Sequence, residues 1–373
     1  MTRRTSSQTV AVVLMIASVV LGACGTSAKS TSSSNNRQGN AASPPAPAST
    51  KSTEVSFDAN RTKTYGTLEV PAHKSGQKLP AALLIAGSGP TDRNGNDGRL
   101  GVTAGTLHVV ANILASEGVM SLRFDKYFSG QTGGGRFAGR PGDITLNDFL
   151  QQAAAAYNFL HRQPDVDPAK LLIAGHSEGG MYALELANSV NPRPAGLGLL
   201  EPQDARLLDL AEVQIDQYIH GAVSSGKMNP SVGAHNAQLL HSAIADFRAT
   251  GSASAAGMDP SVARIFGTIL YPGDAKYVRT DDAIVPADSA AKLSSTTQVL
   301  VTDGTDDTNV PPSTMGPLTN ALQQAHVGGP GLQLLQGADH YMHLASQADS
   351  QPVLAPAAVA DIKNWAQAFS PPS

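Results

Sequence analysis

The apolar positions of this chain keep two rhythms, and the places where one gives way to the other predict its elements. Glu54–Ala59 and Tyr65–Val70 are rich in Val, Thr, Phe and Tyr and read as strands. Ala81–Ala86, Val119–Phe124, Leu171–Ala174 and Ala195–Leu200 are almost wholly apolar, with later strands at Gln298–Thr302 and Leu332–Gln336. Helical spacing runs through Thr103–Ser116, Gly180–Val190 and Val353–Phe369. It is clearest in Ile144–Arg162, where Leu146, Phe149, Ala153, Ala156, Tyr157 and Leu160 recur on one side. Apolar strands separated by helices predict an α/β fold, a mostly parallel sheet covered by helices on both faces.

Between Leu200 and Gln298 the rhythm breaks. Leu207, Leu208, Ala211, Ile215, Tyr218 and Ile219, then Leu240, Ile244 and Phe247, keep helical spacing without an intervening strand. We read residues 203–287 as a helical cap insertion over the sheet's carboxyl edge, where ligands of open α/β sheets gather. The core is then residues 54–202 and 288–373.

The N-terminus adds a destination. Arg3 and Arg4 precede an apolar segment from Val10 to Leu21, and Leu21-Gly22-Ala23-Cys24 follows. About twelve apolar residues fall short of the roughly twenty a bilayer span needs, so residues 1–23 read as a secretory signal. The ending resembles the bacterial lipobox, which implies lipidation at Cys24 and a chain held at the extracytoplasmic face of the cell membrane. Residues 24–53, mostly Ser, Thr, Asn, Ala and Pro, have nothing to bury and read as a flexible tether.

Cys24 is the only cysteine, which excludes an internal disulfide and a cysteine-built zinc site. The net charge of −4, with no long run of either sign, gives nucleic acid no footprint. Asp92-Arg93-Asn94-Gly95-Asn96-Asp97-Gly98 spaces its oxygens like a calcium loop, but Thr103 stands where the closing glutamate belongs. A hydrogen-bonded turn is the better reading there, and neither metal nor cofactor is expected.

The chemistry centres on Gly175-His176-Ser177-Glu178-Gly179, a G-x-S-x-G between an apolar strand and a helix. That placement exposes a serine hydroxyl at a sheet end, with flanking glycines giving the turn room. A serine needs a base, and the base an orienting acid. The strand at Gln298–Thr302 leads into Asp303, Asp306 and Asp307, any of which reaches a histidine. The last strand leads into His340, with His343 as a rival base; His176, beside the serine, is expected to point away. The order Ser, Asp, His at successive strand ends favours His340.

These motifs together resemble the bacterial α/β-hydrolases, most closely the serine aminopeptidase-like and acyl-esterase-like branch. Ile85-Ala86-Gly87-Ser88-Gly89-Pro90 resembles the glycine-rich loop of that branch, and Arg123-Phe124-Asp125-Lys126 its Arg-Tyr-Asp-Lys. The likeness runs from about Tyr65 to the end and is weakest in the insertion. It implies an α/β-hydrolase fold and places the acid at Asp307. It also implies an oxyanion hole from the backbone N–H groups of Ser88 and Glu178. Tyr127-Phe128 replaces the Arg-Gly that many relatives carry after Asp-Lys, which loosens any substrate assignment. The expected activity is that of a membrane-anchored serine hydrolase cleaving a small-molecule or lipid carboxylic ester through an acyl-enzyme. A peptidase or thioesterase on the same triad, and a non-catalytic ligand-binding lipoprotein, are the alternatives.

Overall fold

The computed structural model describes residues 50–97, 101–345 and 353–370. The signal segment, Cys24 and nearly all of the tether lie outside the described residues, as does Gly98 of the calcium-like loop.

Eight strands form one sheet: β1 (Lys51–Ala59), β2 (Thr62–Val70), β3 (Leu79–Ile85), β4 (Met120–Phe124), β5 (Val166–His176), β6 (Gly196–Leu200), β7 (Gln298–Gly304) and β8 (Gly328–Leu335). Their order is β1-β2-β4-β3-β5-β6-β7-β8. β1 pairs antiparallel with β2, and β2 antiparallel with β4, while every later pairing is parallel. β1 takes in Lys51, Ser52 and Thr53, which the composition assigned to the tether. Their backbones pair with Val70, Glu69 and Leu68 of β2, and a ladder needs no apolar side chain at an exposed edge.

The central strands show why a continuous apolar run is required. Successive side chains of a strand point to opposite faces. Leu79, Ala81, Leu83 and Ile85 of β3 enter one core, whereas Ala82 and Leu84 enter the other. The second core is closed by α1 (Thr106–Ser116) and α10 (Pro356–Gln367), chiefly through Leu107, Leu114, Ile362 and Trp365. The first is covered by α2 (Leu146–His161) and α3 (Glu178–Ser189), with Phe149, Tyr157, Met181 and Leu184 buried.

The break in rhythm is occupied by α4 (Leu207–Ser224), α5 (Pro230–Thr250), α6 (Pro260–Ile269) and α7 (Ala275–Asp281). The starts of α5 and α6 use one device. Asn229 and Asp259 each accept the backbone N–H of a serine two residues on, at 3.0 and 2.9 Å, with proline at the first helical position. Asp282, almost fully buried, ties the segment together. It accepts Arg248 Nε and Nη2 at 2.9 and 3.0 Å, Arg206 Nη2 at 3.0 Å and the Leu208 N–H at 2.9 Å. Leu208, Ile215, Ile244 and Val278 of these helices belong to the same core as the first face of the sheet. Before β7 comes α8 (Pro286–Ala290), and α9 (Gly316–Gln324) links β7 to β8.

Candidate active site

Ser177 stands alone between β5 and α3, at φ 57° and ψ −126°, a backbone conformation that costs a serine energy and that the surroundings must impose. They do so by close approach. A Cβ on Gly175 would lie 1.9 Å from the Gly179 carbonyl oxygen, and one on Gly179 would lie 2.3 Å from that of Ile85. The turn is then hydrogen-bonded on both sides. Ser177 N–H donates to the Leu200 carbonyl at 2.9 Å, and its own carbonyl accepts Gly180 N–H and Gln203 N–H at 2.8 and 2.9 Å.

The structure brings Ser177, His340 and Asp307 into one hydrogen-bonded chain. Ser177 Oγ lies 3.0 Å from His340 Nε2, and His340 Nδ1 lies 2.7 Å from Asp307 Oδ2. The other Asp307 oxygen accepts the N–H groups of Asn309 and Val310 at 2.7 and 3.0 Å. An ionised carboxylate only accepts, so the proton on the imidazole sits at Nδ1 and Nε2 is left to receive the serine's. Of the three candidate acids, Asp306 is exposed and Asp303 makes no hydrogen bond to His340.

The neighbouring histidines have other duties. His176 is turned from the serine hydroxyl and bonds the backbone carbonyl of His340 through Nε2 at 2.7 Å. Burial, helped by the nearby His340, lowers its pKa to about 3, so a neutral ring donates to that carbonyl and fixes the loop carrying the base. His343 is held by its backbone, its N–H donating to Asp339 Oδ1 at 2.9 Å, while the ring that meets Ser177 Oγ is that of His340.

Behind Asp307 lie two acids that the sequence reading did not single out, Glu201 and Asp204, together with Asp303, one of its three candidates for the triad acid. Glu201 at the end of β6, Asp204 just beyond it and Asp303 within β7 are each less than 5% exposed. Oxygens of Glu201, Asp303 and Asp307 lie within 4.8 Å of one another, the spacing of a cation site, although Asp307 is already engaged by His340 and two amides. Burial first, then the Asp307 charge, holds Glu201 well above the carboxylate range, and its Oε2 accepts Gly304 N–H at 2.6 Å. Burial likewise raises Asp204 and Asp303 to about 7. Neither Asp303 oxygen has a hydrogen-bond partner among the described residues. Only a parallel register that aligns β6 with β7 brings these acids together, and no local motif announces that.

The loop after β3 borders the serine. A small cleft, partly open to solvent, is lined there by Gly87, Ser88, Thr91, His176, Ser177 and Tyr341. The loop is held by the charged residues at the end of β4. Arg123 Nη1 donates to Asn94 Oδ1 at 2.5 Å, Asp125 accepts Arg93 N–H and Nη2 at 3.0 and 2.8 Å, and Lys126 reaches the Gly87 carbonyl at 2.5 Å. The calcium-like stretch is a turn: Asp92 Oδ1 accepts the N–H groups of Asn94 and Asn96 at 2.8 and 3.0 Å.

Among solved structures, the chain is similar to Est1E from Butyrivibrio proteoclasticus with ferulic acid bound, at a TM-score of 0.52 and 18% identity, over 84% of this chain and 98% of that one. It is also similar to an esterase from Pyrococcus furiosus, at 0.53 and 13% identity, over 86% and 91%. The carboxyl esterase 2 of Tuber melanosporum gives 0.51 and 16%, over 86% and 87%. The chain has the α/β-hydrolase fold. No family model and no curated protein matches the sequence. Within this hydrolase fold, Ser177 follows β5, Asp307 follows β7 and His340 follows β8, so the parallel strands deliver all three to one edge. Ser88, whose N–H the resemblance assigns to an oxyanion hole, lines the cleft, and Glu178 opens α3. The first N–H groups of a helix lack intrahelical acceptors, so the Glu178 amide is a donor available at that edge.

Proposed function

We propose that this chain is a serine hydrolase that cleaves a carboxylic ester through an acyl-enzyme. The observation that carries the reading is the hydrogen-bonded chain Ser177–His340–Asp307 at the rim of an open cleft. In the first half-reaction Ser177 Oγ bonds to the ester carbonyl carbon while its proton passes to His340 Nε2. The negative charge on the former carbonyl oxygen meets the N–H groups of Ser88 and Glu178, each worth ~3 kcal/mol of barrier in comparable sites. Collapse breaks the bond to the leaving alcohol, which takes the proton from His340. Water then repeats the sequence and releases the acid and free Ser177. Asp307, hydrogen-bonded to His340 Nδ1, orients the ring and stabilises the imidazolium.

A fluorophosphonate probe is expected to label the protein at Ser177, and p-nitrophenyl esters to be turned over. Ser177→Ala is expected to abolish both. Labelling that survives in Ser177→Ala refutes the assignment of the nucleophile.

The site of action is part of the same proposal and rests on Leu21-Gly22-Ala23-Cys24. Acyl chains on Cys24 would tether the hydrolase to the outer face of the cell membrane, within reach of lipid or small-molecule esters. Detergent partitioning of the native chain and release of Cys24→Ser into the aqueous phase test it.

A further inference from the structure

Lys126 is a lysine with almost no exposed surface, sitting in the loop after β4 directly beneath the proposed oxyanion site. Its ammonium donates to the Gly87 carbonyl at 2.5 Å and to Glu178 Oε2 at 3.2 Å. The rings of Phe149 and Tyr182 stand 5.5 and 5.4 Å from it, a cation–π cradle that closes off solvent. Glu178 is also held from the far side, where Tyr277 of α7 donates to Oε1. Burying a cation is costly unless it is paired and hydrogen-bonded, and here the Glu178 carboxylate and the Gly87 carbonyl fill that need.

Both acceptors lie on the two chain segments that carry the proposed donors. The carbonyl of Gly87 and the N–H of Ser88 belong to one peptide unit, and that unit is planar and trans. Its two dipole ends point in opposite directions, so pinning the carbonyl towards Lys126 aims the Ser88 N–H the other way. Donation into the carbonyl also polarises the amide and strengthens its N–H as a donor. The second acceptor is the side chain of Glu178, whose own N–H is the other donor. One ammonium therefore sets the spacing between two amides on different segments, the loop after β3 and the start of α3 after β5.

Resting on the hydrolase reading above, we propose that Lys126 is a positioning residue of the oxyanion hole, holding the Gly87–Ser88 peptide and Glu178 at the separation that a tetrahedral oxyanion requires. Arg123 and Asp125 hold the outer part of the same loop through Asn94 and Arg93, and Lys126 alone of the three reaches the peptide beside Ser177.

The test uses the double variant Lys126→Met, Glu178→Gln, which removes the ion pair without leaving either charge buried alone, compared with the wild-type chain. Activity is measured on a p-nitrophenyl ester, affinity for a phenylboronic acid that forms a tetrahedral adduct on the serine, and inhibition by the planar carboxylate product. Loss of the aimed amides is expected to lower kcat by ~10²-fold, within the range for losing one oxyanion donor. Boronate affinity is expected to weaken by a similar factor, with KM and product inhibition close to those of the wild type. A merely structural role would shift all four quantities together or none of them. Should the double variant fail to fold, Glu178→Gln alone removes one of the two anchors while Lys126 stays on the Gly87 carbonyl, and it is expected to lower kcat and boronate affinity by one common factor smaller than that of the double variant, with KM close to that of the wild type; wild-type kcat and boronate affinity in that variant overturn the assignment. A folded double variant with wild-type kcat, or with lowered kcat and unchanged boronate affinity, also overturns it. A wild-type chain that the fluorophosphonate leaves unlabelled overturns the hydrolase reading itself, a result distinct from both.

Discussion

Replacing Asp303 with Asn tests the acidic cluster behind His340 most directly. Asp303 is 1% exposed, neither of its oxygens has a hydrogen-bond partner among the described residues, and its pKa rises from 3.8 to about 7. Burial is the main cause, and the nearby Asp307 and Asp204 add to it. The sign follows from linkage. Between pH 4 and 7 the folded chain keeps a proton here that the unfolded chain has released, so this group's contribution to stability falls as pH rises through that window and is level above it. The gap between 3.8 and about 7 corresponds to ~4 kcal/mol if Asp303 titrates alone. Relaxation of the surroundings and water penetration around an ionised buried carboxylate lower the penalty, so about 2 kcal/mol is expected. Asn cannot ionise, and its amide can donate to Glu201 Oε1, which is itself buried without a partner. Urea unfolding of wild type and Asp303→Asn at pH 4.5 and pH 8 isolates the effect, since the other titrating groups are common to both. The variant is expected to gain about 2 kcal/mol on the wild type between the two pH values. A difference in stability that is the same at both pH values refutes the reasoning.

Three further outcomes are expected. Asp307→Asn leaves the imidazole in its place but favours the wrong tautomer, and kcat on p-nitrophenyl esters is expected to fall by ~10⁴-fold with KM little changed. Gly179→Ala drives a methyl group against the Ile85 carbonyl 2.3 Å away, so thermal unfolding is expected to register a loss of about 3 kcal/mol or no folded protein at all. Arg248→Ala takes two of the donors from buried Asp282 while Arg206 remains, which is expected to cost about 2 kcal/mol and to raise amide hydrogen exchange in α4, α5 and α7 before the sheet.

How much of this could be read from residues depends on whether the cause is local. The apolar runs of β3 and β6 were legible because burial on both faces leaves little room for polar residues. The strand ends at Ser177, Asp307 and His340 were legible because each sits just beyond such a run. The edges were not. β8 begins at Gly328 and not at Leu332, since its first residues include three glycines; Gly329, at φ 93°, passes so close to β7 that a Cβ would meet Val299 N at 2.6 Å. β5 begins at Val166, ahead of a register shift beside Pro168 that hides the strand from any alternation. Glu201 and Asp204 carry no local signal, and Asp303, legible only as a candidate for the triad acid, joins them once β6 and β7 are paired. Lys126 was visible as part of Arg123-Phe124-Asp125-Lys126, but only the fold shows that its charge faces Gly87 and Glu178.

The helices between β6 and β7 share one apolar body with the sheet, and Tyr277 plants α7 on Glu178. A segment so rooted has no hinge to swing on, because lifting it would pull Leu208, Ile215 and Val278 into water. Catalysis should therefore saturate smoothly with dissolved esters and show no jump in rate when the substrate begins to form micelles.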